Sequence, residues 1–162
     1  MTKIDCSFTC ENNWFRCRAG AIVLKDGNVL LVYGKTARHY YSPGGAIHLG
    51  ERIEDAIKRE LFEETGVEFQ VDRLLCVVEN FFKGRYGSID GKTCHTIQFF
   101  YLMKAPQQMT FSARSVNLDG DAEELVWLPI DQLEQYDIRP ATLASLIRQP
   151  PQHFSVMVND ER

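Results

Sequence analysis

The chain has 162 residues, with 18 Lys plus Arg against 22 Asp plus Glu, a net charge of −4 at pH 7. At 44% apolar and 25% charged residues it has the make-up of a globular domain and not of a disordered or collagenous chain. A net acidic chain with no Lys/Arg run lacks the electrostatic footprint for wrapping nucleic acid, whereas a nucleotide ligand remains compatible with it.

Area scaling buries about 69% of a chain this long, enough for one ordinary core. A single domain over residues 1–162 is therefore expected. The apolar runs, Ala21 to Leu24 and Val29 to Tyr33, are too short to cross a membrane. The opening MTKIDCSFTC has neither the basic nor the apolar region of a signal peptide. Five cysteines are an odd count in a chain that needs no staples, so reduced thiols and a cytoplasmic location are expected. Cys6, Cys10 and Cys17 cluster loosely, but neither spacing is C-x₂-C and no His is near, which argues against zinc.

In chain order, Trp14 to Leu24 and Val29 to Tyr33 read as strands, and Asp26-Gly27 between them is a hairpin signal. Gly34 to Ser42 is a polar loop carrying Lys35, Arg38, His39, Tyr40 and Tyr41, closed by the turn Pro43-Gly44-Gly45. A helix is expected from about Glu51 to Thr65, ended by Gly66. Leu74 to Val78 and Thr96 to Met103 are strand-like, with a Gly-rich loop between them. Val126 to Pro129 reads as a short strand, Ala141 to Arg148 as a helix and Phe154 to Val158 as a last strand. This order suggests an α/β domain layered around a mixed sheet.

The helix breaks local rules. On a wheel of about 100° per residue, Ala56, Ile53, Ile57 and Leu61 form one apolar stripe, yet Glu60 and Glu64 fall inside it and Glu63 beside it. Glu60 and Glu64 are a like-charge i,i+4 pair, and Glu63 and Glu64 occupy the last turn, where the dipole favours cations. Two carboxylates ~4 Å apart repel by about 4 kcal/mol at an effective dielectric of 20. A hard divalent cation such as Mg²⁺ removes these objections together. A solvated acidic face is the plain alternative.

The segment 45–67 is similar to the Nudix box, G-x₅-E-x₇-R-E-U-x-E-E-x-G-U with U aliphatic. It matches at Gly45, Glu51, Arg59, Glu60, Leu61, Glu63, Glu64, Gly66 and Val67. The flanking strands and Trp127-Leu128-Pro129 extend the likeness more weakly. The chain thus resembles a Nudix hydrolase. The resemblance implies an α/β/α sandwich, Mg²⁺ or Mn²⁺ as cofactor, and cleavage of a nucleoside diphosphate linked to another group. It implies metal ligation by Glu60, Glu64, Glu63 and a backbone carbonyl at Gly44-Gly45, with Arg59 orienting a carboxylate. Arg59 is four residues from both Asp55 and Glu63, within reach of either. Glu51 lies on the opposite side of the wheel, as a structural partner for the loop or the helix N-terminus.

Hydrolysis by water attack at phosphorus follows, with Glu63 or the pair Glu123/Glu124 as candidate base. Lys35 and Arg38 are candidates for substrate phosphates. Tyr40, Tyr41, Phe81, Phe82 and Tyr86 are candidates for stacking on a base. His95 and Phe99 are expected in the core. The partner is a small nucleotide; a homodimer is expected only because many relatives form one. A catalytically silent nucleotide sensor on the same fold is the alternative, although it has no need of three crowded carboxylates. Residues 51–64 hold six acids and three bases, leaving 16 acids against 15 bases elsewhere, so most of the net charge sits on this one helix.

Overall fold

A computed structural model describes residues 2–162. The described residues form β1 (Ser7–Cys10), β2 (Asn13–Lys25), β3 (Asn28–Gly34), β4 (His39–Tyr41), β5 (Gly44–Ala46), α1 (Ile53–Thr65), β6 (Gln70–Lys83), β7 (Thr93–Lys104), β8 (Glu124–Pro129), α2 (Thr142–Arg148) and β9 (Ser155–Glu161). The strands join in the order β4-β3-β2-β7-β6-β9, with β1 and β5 also on β2 and β8 on β3. β2 with β7 and β6 with β9 run parallel; the other pairs are antiparallel. This is the mixed sheet expected from the sequence.

Strand parity builds the two outer layers. Ala19, Ala21 and Val23 of β2 point to one face and pack with Ala56, Ile57 and Leu61 of α1. Ile22 points to the other face and packs with Phe100, Leu143, Leu146 and Ile147, beneath α2. The result is an α/β/α sandwich with one apolar cluster on each face. Removing a fully buried side chain such as Leu61 or Phe100 would cost about 2–5 kcal/mol.

Strand lengths depart from the sequence expectation for tertiary reasons. Leu74 to Val78 is only the middle of β6, which continues through the polar Glu79 and Asn80 because β7 and β9 flank it on both sides. β1, β4 and β5 lie where no periodicity marked a strand. β5, in the expected turn, pairs Gly44 with Gly20 and Gly45 with Ala19. A Cβ on Gly44 would fall 2.1 Å from the Ala19 carbonyl oxygen, and φ there is +128°, so only glycine sits comfortably. The helix starts at Ile53 and not at Glu51, because the Glu51 carboxylate turns back to accept from the His48 N–H at 3.0 Å. It ends at the left-handed Gly66, whose N–H donates to the Phe62 carbonyl.

Candidate active site

α1 presents its carboxylates at the β5 end of the sheet. Glu64 is buried among the apolar residues of the stripe, Glu60 is largely buried, and Glu63 is 53% exposed. The Glu60 carboxylate lies directly over Gly45, where a Cβ would come within 2.4 Å of its Oε2. Glu64 accepts the Gly44 N–H at 3.0 Å and the Ser115 hydroxyl at 3.3 Å. That hydroxyl also stands 3.0 Å from Glu123, so Ser115 links two carboxyl groups 59 positions apart in the chain.

Burial sets the charges here. It pushes the Glu64 carboxyl up to about 8, against the pull of the nearby Arg18 guanidinium. It pushes Glu123 up to about 7, and it lowers the pKa of both Arg16 and Arg18. Arg18 donates to the Ser42 hydroxyl and to the Ser42 and Gly44 carbonyls, while Arg16 reaches Asp5 only at 3.8 Å.

Arg59 organises the loop that carries β5 into α1. Its Nε and Nη2 meet the two Glu51 oxygens at 2.7 and 2.8 Å, a bidentate fork that holds the Glu51 carboxyl down at about 2. The same Nη2 donates to the Ala46 carbonyl, and Nη1 reaches Glu60 at 2.7 Å and Glu63 at 3.3 Å. Of the two neighbours four residues away, Glu63 is a partner. Asp55 forms no ion pair among the described residues.

The donor set suits a hard divalent cation: three carboxylates and the Gly44-Gly45 backbone border one cavity of about 220 Å³. As they stand, no three acidic, His or Cys side chains among the described residues converge to hold an ion. Glu60 faces Arg59, and Glu64 faces the Gly44 N–H. Arg59 takes only Oε1 of Glu60, and each Glu64 oxygen accepts one hydrogen bond, so both carboxylates keep lone pairs for a cation while holding these partners.

A larger cavity of about 330 Å³ adjoins it, and Arg16, Arg18 and Tyr41 border both. Tyr41, Phe82 and Tyr86 line the larger one. Phe81 lies on the opposite face, stacked on His95 with ring centroids 4.3 Å apart, and Tyr40 packs on Tyr33 and Tyr136. Lys35 and Arg38 border neither cavity. Lys35 instead pairs with Glu124 at 2.9 Å, both side chains more than half exposed. The neighbouring Glu123 lines the larger cavity. Arg16 and Arg18 escaped the sequence reading, although two cations at alternate positions beside an apolar strand run were a signal available there. Ser115 had none.

Residues 14–149 match the family model described as the NUDIX domain. A MutT-like protein of Streptomyces ambofaciens is 36% identical over 66 residues, 41% of this chain and 43% of its own length. The matched part of the chain spans less than half the length of the first curated relatives it resembles. Among solved structures, a MutT NUDIX hydrolase from Burkholderia pseudomallei is 30% identical with a TM-score of 0.57, covering 80% of this chain and 95% of its own. A mutator MutT protein from Bacillus halodurans shares the fold at a TM-score of 0.62 and 18% identity, covering 88% and 89%.

Proposed function

Because the chain belongs to the Nudix hydrolase family, we propose that it hydrolyses a diphosphate bond in a nucleotide or nucleotide derivative, with Mg²⁺ or Mn²⁺ as cofactor. The observation that carries this reading is Glu64: a carboxyl buried in an apolar stripe, beside Glu60 and Glu63 and against a glycine backbone. Nothing in packing explains such a group, whereas a cation and a polyphosphate do.

Glu60, Glu63, Glu64 and the Gly44-Gly45 backbone would hold the cation. Held there, it supplies neutralisation of the diphosphate and activation of a water. Arg59 positions Glu60 and Glu63 through its Nη1 while its fork to Glu51 fixes its own place. Arg16 and Arg18, fixed on a central strand, receive phosphate oxygens in surroundings that strengthen each charge-assisted bond. Glu123 takes the proton of the attacking water in preference to Glu124. Glu123 is half-buried with a raised pKa in the cavity wall, the setting in which a carboxylate serves as base near neutral pH. Glu124 is committed to Lys35.

A panel of nucleoside di- and triphosphates and their derivatives, assayed with Mg²⁺ or Mn²⁺ for released phosphate, pyrophosphate or nucleoside monophosphate, tests the proposal. Turnover on at least one member is expected, reduced about 10²–10³-fold in Glu64→Gln. Full activity in that variant removes the metal-site assignment. Tight nucleotide binding without turnover across the panel favours a sensor.

A further inference from the structure

The floor of the 330 Å³ cavity is laid by the register of the sheet. Arg16 of β2, Thr96 of β7, Asn80 of β6 and Asn159 of β9 are aligned partners across four adjacent strands, and all four border the cavity. Gln98, one step along β7 on the same face, joins them. Thr96, Asn80, Asn159 and Gln98 are only 4–7% exposed. Central strands are ordinarily aliphatic where they are buried, and a row of buried amides is costly unless each finds its partners.

Within the protein the row is only half satisfied. Asn159 Nδ2 donates to Asn80 Oδ1 at 2.7 Å and to Glu161 at 3.4 Å, and Gln98 Nε2 donates to Thr96 Oγ1 at 3.0 Å. The Asn80 NH₂ and the Asn159 carbonyl make no hydrogen bond to described residues, yet neither is among the buried polar atoms sealed off without a partner. The Glu161 contact favours this orientation, since a flipped Asn159 would turn its oxygen to that carboxylate; in either orientation the pair keeps one NH₂ and one carbonyl unbonded to each other. A free donor and a free acceptor on aligned residues of neighbouring strands can meet the hydrogen-bonding edge of a nucleobase. Trp14, Phe82 and Tyr86 border the same cavity and offer ring faces for stacking.

The remaining geometry continues toward α1. Arg16 stands at the end of the amide row and also borders the carboxylate-lined cavity, and its buried Nε has no partner among the described residues. A volume of 330 Å³ is at the low end of ligand cavities, about 300–1,000 Å³, enough for one nucleoside and not for two. Resting on the hydrolase reading above, we propose that Asn80 and Asn159 select the base of a mononucleotide-type substrate. Its phosphates then pass Arg16 and Arg18 to reach the α1 carboxylates.

Equilibrium titration tests this without relying on turnover. The probes are the α,β-methylene diphosphates of adenosine, guanosine, cytidine and uridine, with methylenediphosphonate as the base-free control, all in Mg²⁺. The protein is expected to bind one base at least about tenfold tighter than another. The double variant Asn80→Leu/Asn159→Leu removes both members of the pair and so leaves no orphaned amide. It is expected to lose at least about tenfold for the favoured base while holding methylenediphosphonate unchanged. Asn80→Asp, which exchanges a donor for an acceptor at nearly constant size, is expected to change the ranking of the bases and stands in if the double variant fails to fold. Equal binding of all four bases, a ranking that survives both variants, or a parallel loss of methylenediphosphonate overturns the proposal. Base-selective binding without hydrolysis of the parent nucleotides upholds it and overturns only the catalytic reading. Hydrolysis with base-indifferent binding does the reverse.

Discussion

Arg18 and Glu64 hold Gly44 from opposite sides: the guanidinium donates to its carbonyl at 3.1 Å and the carboxylate accepts its N–H at 3.0 Å. A half-buried guanidinium and a buried carboxyl thus meet through one glycine and form no direct ion pair. The Glu64 carboxyl is correspondingly raised to about 8, and Glu123 to about 7, mainly by burial.

Stability should follow these two groups. Their folded pKa values lie above the ordinary value of 4.5, so the folded state binds protons more tightly than the unfolded chain between about pH 4.5 and 8. In chelator, stability is expected to fall as pH rises through this window, by on the order of a few kcal/mol. Added Mg²⁺ or Mn²⁺ should restore it, and more at pH 8 than at pH 6, because ligation displaces the protons. Urea unfolding at pH 5, 6, 7 and 8, with and without metal, is the measurement. A flat profile, or metal stabilisation greatest at pH 6, contradicts the site.

Adjacent carboxylates should part company in kinetics. Glu123→Gln is expected to lower kcat/KM by about 10²-fold or more, the usual contribution of a general base. Glu124→Gln removes only an exposed pair with Lys35, so its activity should stay within about threefold and its stability within about 1 kcal/mol. Equal losses in the two variants would count against Glu123 as the base.

The fork between Arg59 and Glu51 should matter for acid tolerance. The Glu51 carboxyl, held at about 2 chiefly by the Arg59 hydrogen bonds, contributes stability above about pH 4.5 that is lost as pH falls toward 2. Glu51→Gln is expected to cost about 1.5–3 kcal/mol at pH 7 and to bring its unfolding curve close to that of the unmodified chain near pH 2. Denaturant curves at the two pH values check this; a constant difference would place the effect elsewhere.

Two adjacent glycines should fail in different ways. Gly44→Ala drives a Cβ into the Ala19 backbone carbonyl at positive φ, so the main loss should be stability, of about 1–3 kcal/mol or more. Gly45→Ala meets the Glu60 carboxylate, a side-chain end that can move. The fold should therefore survive while metal affinity and kcat/KM drop by roughly 10- to 100-fold. Thermal melts and metal titrations of both variants decide the matter.

Helix α1 and its carboxylates were legible in the sequence because spacing along one helix is a local property. Once Glu60 and Glu64 share a stripe with Ile57 and Leu61, their burial depends only on that stripe meeting the sheet. The hairpin of β2 and β3 and the mixed α/β layering were local in the same sense. Which strand register sets Arg16 beside Thr96, Asn80 and Asn159 was not, since those residues lie up to 143 positions apart and carry no mark of one another in the chain. Nor could spacing separate Glu123 from Glu124. In a strand or its approach, successive side chains take opposite faces, and only the assembled sheet decides which carboxyl is half-buried against Ser115 and which is left in solvent beside Lys35.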